Sequence, residues 1–156
     1  MKKITTLVLS SVLLIGAVAC SNNAKTSADA PNSTKKTGEV PTTETAKNNQ
    51  NDAASQVRRD QLNSDIRAGE QRNNMTGGDA DRANSELSSE VRSKLEANIP
   101  NGNLTVAAKD GAIVVSGSVQ TQDQLNKIEP LTKQIKGVKS VSVVAKVSPA
   151  VPDKKQ

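Results

Sequence analysis

Hydrophobic residues recur in two periods after residue 80, one typical of helices and one typical of strands. Leucine and valine recur every fourth residue over 87–95, which predicts a helix with one apolar face. Alternating apolar residues lie on both sides of Asp110-Gly111, a dipeptide suited to a tight turn, and together they predict a β-hairpin. A second helical period follows Thr121, which is placed to cap that helix, and a last alternating run covers 138–147.

The order of these elements predicts a small two-layer α+β domain at residues 80–148. The αββαβ order places two helices on one face of a three-stranded mixed sheet, with the last strand parallel to the second. Pro130 falls inside the second helix and is expected to bend it or remove a hydrogen bond. Three glycines are expected to have structural roles: Gly111 in the hairpin turn, Gly117 at a close backbone approach or bulge, and Gly137 as the C-cap of the second helix.

The segment before this domain is polar. Residues 20–79 are rich in Asn, Thr, Ser, Ala, Lys and Gln, and such a composition buries too little apolar surface to offset its ordering entropy. We therefore predict a disordered tether, with an open alternative of a short helix at 53–72, where Val57, Leu62 and Ile66 form a thin apolar stripe. Residues 149–156 are expected to form a disordered tail.

The first 19 residues have the pattern of an export signal. A short positive segment is followed by a run of apolar and small residues that is too brief for a membrane-spanning helix, which needs about 20 apolar residues. The sole cysteine, Cys20, stands where the apolar run stops.

The sequence Ala17-Val18-Ala19-Cys20 resembles the lipobox of bacterial lipoproteins. That resemblance implies cleavage before Cys20, a diacylglyceryl group on its sulfur and a fatty acid such as palmitate on its new α-amine. Ser21 in the next position implies transport to the outer membrane, with the protein facing the periplasm. Two alternatives stay open: a cleaved secretory signal with an incidental cysteine, and an uncleaved anchor.

The amino-acid composition argues against several classes of functional site. The chain has no His, Phe, Tyr or Trp and a single Cys, which argues against imidazole catalysis, common metal-ligand clusters, internal disulfides and base-stacking platforms. We expect no catalytic residues, no metal and no cofactor. Cleavage before Cys20 would reduce the formal net charge from +5 to +3, which is too weak to indicate a nucleic-acid partner.

Residues 84–148 resemble the BON domain, a module named after osmotically inducible and nodulation proteins of bacteria. The resemblance rests on the first helical stripe, on Asp110-Gly111, on the strand Ile113-x-Val115-x-Gly117-x-Val119, and on Gly137-Val138-x-x-Val141. It implies an αββαβ fold, export, and a role in binding phospholipid or stabilising the envelope under stress. The family has no settled catalytic residues. Many members carry two or more copies, whereas this sequence has one.

Lysines are the candidate binding residues. Lys133, Lys136 and Lys139 cluster after the second helix and suit an anionic lipid headgroup, although cations at a helix C-terminus are also explained by the helix dipole and by solvation. Glu86 and Glu90 share a helix face and are expected to be solvated rather than catalytic.

The sequence thus predicts a non-enzymatic, lipid-anchored envelope protein. Its partners would be the membrane, through acyl chains on Cys20, and anionic phospholipid. The alternative is a lipid-tethered module that binds an envelope protein.

Overall fold

The computed structural model describes residues 23–36, 38–75 and 82–152. Four helices and five strands occur in this part of the chain. In chain order they are β1 (Asn23–Lys25), α1 (Thr43–Ala54), α2 (Gln56–Met75), α3 (Asn84–Asn98), β2 (Asn103–Lys109), β3 (Ala112–Val119), α4 (Gln122–Lys133), β4 (Ser140–Val143) and β5 (Lys146–Val147).

The sheet is mixed, with the order β1-β2-β3-β4 and with β5 also paired to β3. Strands β2 and β3 form the predicted antiparallel hairpin, and β4 and β5 lie parallel to β3, as the sequence indicated for the last strand. The described sheet exceeds the three predicted strands because β1 adds to the edge of β2 and because the last strand is interrupted between β4 and β5. The interruption lies opposite Gly117, whose φ of 115° turns the backbone of β3 away from regular strand geometry.

The core lies between the sheet and helices α3 and α4. Every second residue of β2 and β3 faces these helices and is buried, as the period of two requires. The buried apolar cluster contains Leu87, Val91, Leu95, Ile99, Leu104, Val106, Ala108, Ile113, Val115, Val119, Ile128, Ile135 and Ala145. The predicted αββαβ arrangement of two helices over the sheet is therefore confirmed.

Local sequence signals explain the ends of several elements. Asp110 and Gly111 both have positive φ, 52° and 85°, as a two-residue hairpin loop demands. Helix α4 begins with a complete capping box, in which Thr121 accepts from the Gln124 backbone and Gln124 accepts from the Thr121 backbone. Pro130 lies inside α4, as expected.

The segment predicted to be a tether differs from that expectation in its described part. Strand β1 pairs with β2, and residues 26–36 (the crossing segment) then pass over the face of the sheet opposite the helices, where the Pro31 carbonyl accepts a hydrogen bond from the Thr105 hydroxyl. Helices α1 and α2 follow. The predicted helix at 53–72 corresponds largely to α2, which begins at Gln56 and extends to Met75, whereas residues 53 and 54 belong to α1.

The predicted tail also differs from expectation in its described part. Val151 pairs with Thr42, donating its N–H to the Pro41 carbonyl and accepting from the Thr43 N–H at 2.8 Å. Residues 153–156 lie outside the described residues.

Polar contacts hold helix α2 against α3. Amino-acid composition alone does not reveal such contacts. Arg58 makes a two-pronged ion pair with the buried Glu96, with Nε–Oε1 and Nη2–Oε2 distances of 2.6 and 3.0 Å. This hydrogen bonding raises the already high pKa of Arg58 further, so the guanidinium stays charged. Arg92 contacts the same carboxylate at 3.0 Å. Asp65 of α2 lies 3.5 Å from Arg92, which extends the network back to α2.

Leu62→Ala tests whether α2 is docked. Leu62 is fully buried on α2, whereas Val57 on the same helix is 80% exposed. We expect Leu62→Ala to lower the free energy of unfolding by about 2–3 kcal/mol, because it removes buried methyl groups and leaves a cavity. The matched control Val57→Ala should change it by less than about 0.5 kcal/mol. Urea denaturation measures both, and equal small effects would contradict the docked position of α2.

Candidate functional site

One end of the sheet collects the lysines that the sequence singled out. At this end β2 and β3 join through Asp110 and Gly111, and β4 starts with Ser140 opposite Ala112. We call it the hairpin end. Helix α4 starts near the opposite end, after β3, and runs back, so the connection from Lys133 to β4 also lies at the hairpin end.

The three predicted lysines are all exposed, and each is held differently. The ammonium of Lys133 lies 2.6 Å from the carboxylate of Glu129, so its charge is partly compensated. The backbone carbonyl of Lys136 accepts a 2.7 Å hydrogen bond from Arg82, and the backbone N–H of Lys139 donates to Gly111 at 2.8 Å. These backbone contacts fix the two lysines beside the hairpin.

Lys109 is a fourth lysine at this end, and the sequence pattern did not single it out. It is exposed and is the last residue of β2, directly opposite Ala112 in the hairpin. Its position depends on strand pairing, because it is thirty residues away from Lys139 along the chain. The adjoining Asp110 is the exposed acidic residue of the same turn.

Gly111 and Gly137 lie where the hairpin meets the turn after α4. A Cβ on Gly111 would be 2.9 Å from the Gly137 carbonyl oxygen and 2.8 Å from Cγ and Cδ of Lys139, so the two turns touch with no room for a side chain. The prediction that Gly137 caps α4 is wrong. The helix ends at Lys133, and the chain turns through 134–137 to bury Ile135, with Gly137 at a φ of 89°.

Gly117 lies far from the lysines, near the other end of the sheet. A Cβ there would be 2.0 Å from the carbonyl oxygen of Asn103 on β2. Real Cβ atoms do not approach a backbone oxygen this closely. Gly117 therefore has a structural role in the sheet and is not part of the hairpin end.

A buried ion pair, which the sequence pattern did not indicate, supports the hairpin end from inside. Arg82 and Glu90 are 3% and 2% exposed at their side chains, and Arg82 Nη2 lies 2.5 Å from Glu90 Oε2. The expectation that Glu90 is solvated is wrong for a geometric reason. Glu90 follows Leu87 by three residues, which places it beside the buried stripe of α3, and that spacing was the available signal. Burial raises the pKa of Glu90, and Arg82 opposes this effect.

An open groove with a volume of about 760 Å³ lies at the end of the sheet opposite the hairpin end. It is bordered by the crossing segment, the start of α1 and Asn103. Its charges are mixed, since Lys25, Lys35 and Lys36 line it together with Asp29 and Glu39. This mixture gives the groove no single charge preference, in contrast to the lysines of the hairpin end.

The remaining features concern Cys20, membrane-spanning helices and metal binding. Cys20 lies outside the described residues. None of the helices in the described ranges is long and apolar enough to cross a bilayer. Across the same ranges, no group of three or more His, Cys, Asp or Glu side chains is arranged to hold a metal ion.

Comparison with known proteins identifies the domain. A search of curated proteins and of solved structures finds no significant match to the chain. The family model of the BON domain matches residues 83–149, which include α3, the hairpin, α4 and both strands that follow it. These residues therefore form a BON domain.

Proposed function

We propose that this protein is an exported, lipid-anchored envelope protein of bacteria, without enzymatic activity, whose BON domain binds anionic phospholipid surfaces. In this role it supports the integrity of the envelope under stress. Acylation of Cys20 would hold the chain at the periplasmic side of the outer membrane.

One observation carries the proposal: four of the six exposed lysines of the BON domain lie at or near its hairpin end, while Lys127 and Lys146 lie elsewhere. Lys109, Lys136 and Lys139 reach this end from β2 and from the connection before β4, with Lys133 close by. An anionic bilayer is a broad and flat surface of phosphate groups, and each lysine near such a surface contributes about 1 kcal/mol. A few exposed lysines on one end of a domain suit this kind of ligand better than an enclosed pocket would.

The proposed anchor and the lysines have different tasks. Two or more acyl chains attach a protein stably to a bilayer, whereas a single chain binds only marginally. The lysines then add the preference for anionic headgroups, which acyl chains do not supply.

Vesicle binding of the unacylated chain tests the lysines separately from the anchor. The probe is the chain from residue 20 onward with Cys20→Ser, titrated with vesicles containing phosphatidylglycerol or only phosphatidylcholine. We expect saturable binding to the anionic vesicles alone. Lys136→Glu together with Lys139→Glu should weaken it about 30-fold, from about 1 kcal/mol per lysine.

A matched control reverses two exposed lysines elsewhere. Lys35→Glu together with Lys47→Glu makes the same change in net charge, but both lysines lie away from the hairpin end. We expect an effect below about threefold, because charges farther than about 10 Å from the surface are screened. Equal loss in both double variants, or no anionic preference in the parent chain, would contradict lipid recognition and would favour the alternative of a module that binds an envelope protein.

A further inference from the structure

The geometry points to a fixed orientation at the membrane: we propose that the hairpin end faces the bilayer directly, with the sheet upright on the membrane and with two residues between the anchor and the first strand. This inference rests on the proposed acylation of Cys20. It replaces the long tether that composition suggested with a short and directed connection.

The direction of β1 provides the first step. Asn23 lies opposite Ala107 and Lys25 lies opposite Thr105, so β1 runs antiparallel to β2. The first residue of β1, Asn23, therefore lies at the end of this strand that is nearer to Lys109 and the hairpin. The proposed anchor enters the domain from the hairpin end.

Chain length provides the second step. Three residue steps separate Cys20 from Asn23, and an extended chain spans at most about 3.5 Å per residue, which gives about 11 Å. A disordered tether of 30 residues would instead have an average span of about 30 Å. Because β1 is paired in the sheet, an acylated Cys20 would hold the edge of the sheet within about 11 Å of the bilayer surface.

The side chains at the hairpin end provide the third step. Strands β1 and β4 are separated by three strand spacings, or about 15 Å, so Lys139 lies within the same small footprint as the start of β1. Lys109 and Lys136 share that footprint. Their charges suit anionic headgroups at the place where the anchor brings them.

An exposed apolar residue completes this surface. Helix α2 runs antiparallel to α3, as shown by the pairs Arg58–Glu96 and Arg72–Glu86, so its last residue, Met75, lies beside the start of α3. The start of α3 is at the hairpin end, because the Asn84 side chain accepts from the Asp110 backbone N–H at 2.8 Å. Met75 is 87% exposed. A flexible apolar side chain in this position is suited to the boundary between headgroups and acyl chains.

Depth-dependent fluorescence quenching tests the orientation in the acylated full chain. Ala112→Cys places a label at the hairpin end, and Gln122→Cys places the matched label at the opposite end, where α4 begins; both residues are exposed. The acylated Cys20 has no free thiol, so each variant takes one fluorophore. In vesicles containing phosphatidylglycerol and a headgroup nitroxide lipid, we expect at least threefold stronger quenching at position 112 than at 122.

A lengthened connection is the control. Twenty Gly and Ser residues inserted between Asn22 and Asn23 give an average reach of about 25 Å, and combining them with Lys136→Gln and Lys139→Gln removes both proposed constraints. This variant should quench equally at the two positions. Mass spectrometry of the N-terminus and membrane fractionation accompany every sample.

The outcomes separate the two proposals. Equal quenching of the two labels in a chain that is acylated and membrane-bound would overturn the orientation and leave the proposed function intact. Stronger quenching at 122 would do the same. A chain with an unmodified Cys20 that fractionates as soluble would overturn the proposed anchor and with it the orientation.

Discussion

Gly117→Ala is expected to destabilise the domain more than Leu62→Ala does. The added methyl group would lie 2.0 Å from the Asn103 carbonyl oxygen, and the backbone φ of 115° is one that only glycine adopts readily. Strain and the forced separation of β2 from β3 together should cost about 4 kcal/mol. The free energy of unfolding of a small domain is about 5–15 kcal/mol in total, so Gly117→Ala would remove much of the stability.

Gly102→Ala is the matched control for this prediction. A Cβ at Gly102 would meet Cγ2 of Ile99 at 3.0 Å and the Ile99 carbonyl oxygen at 3.2 Å, contacts that a small adjustment relieves. We expect a cost of about 1 kcal/mol. Urea denaturation followed by far-UV circular dichroism measures both variants. A Gly117→Ala variant as stable as Gly102→Ala would show that β2 and β3 do not approach as closely as described.

Arg82→Met is expected to have the second largest effect. It removes the buried partner of Glu90 and the donor to the Lys136 carbonyl, leaving a buried carboxylate without its hydrogen-bonded counter-ion. Breaking a buried pair in this way costs about 3 kcal/mol at neutral pH. Arg72→Met is the control, because the Arg72–Glu86 pair is exposed at 55% and 38% and is expected to contribute less than about 1 kcal/mol.

The cost of Arg82→Met should shrink as the pH falls. Burial already raises the pKa of Glu90 above its ordinary value of 4.5, and loss of Arg82 raises it further. Because the pKa of Glu90 is higher in the folded chain than in the unfolded chain, folding takes up a proton. The resulting contribution of Glu90 to stability is complete below pH 4.5 and is lost as the pH rises through the folded-state pKa. Urea denaturation of both proteins from pH 7 to pH 5 measures the difference. A cost that stays constant or grows on acidification would show that Glu90 does not carry it.

The core of the BON domain could be predicted from the sequence because the sequence patterns that specify its helices, strands and turns are local and repeated. The stripe from Leu87 to Leu95, the Asp110-Gly111 turn and the Thr121 cap each specify one element, and the apolar positions agree on one buried layer. The interruption of the last strand was not predicted, since it depends on the backbone of Gly117 in a neighbouring strand.

The N-terminal part was predicted poorly because polar contacts order it. Asn49 donates to the Asn103 side chain at 3.1 Å, and Arg58 pairs with Glu96, yet in sequence these residues resemble any polar linker. Composition measures the apolar surface that a segment can bury. It does not show which charged residues find partners on a distant helix.

The location of the candidate lysines could be predicted in part, whereas their binding of lipid stays a prediction. Lys133, Lys136 and Lys139 are neighbours in sequence, so their shared location needed only the end of one helix. The positions of Lys109 and Met75 at the same end depend on the hairpin register and on the antiparallel packing of α2, neither of which local patterns specify.

The face of the sheet under the crossing segment has a consequence for handling by the cell. It is lined by Asn103, Thr105, Ser116 and Ser118, all buried, and among the described residues neither serine hydroxyl has a hydrogen-bond partner. If the crossing segment lifts away, water can therefore solvate these groups, and the face that opens is mostly polar, with Ala107 and Val114 as its half-buried apolar residues. A chain whose N-terminal segment is still bound by export or acylation machinery would thus expose a mostly polar face. Such a face offers few apolar contacts to chaperones or to other unfolded chains.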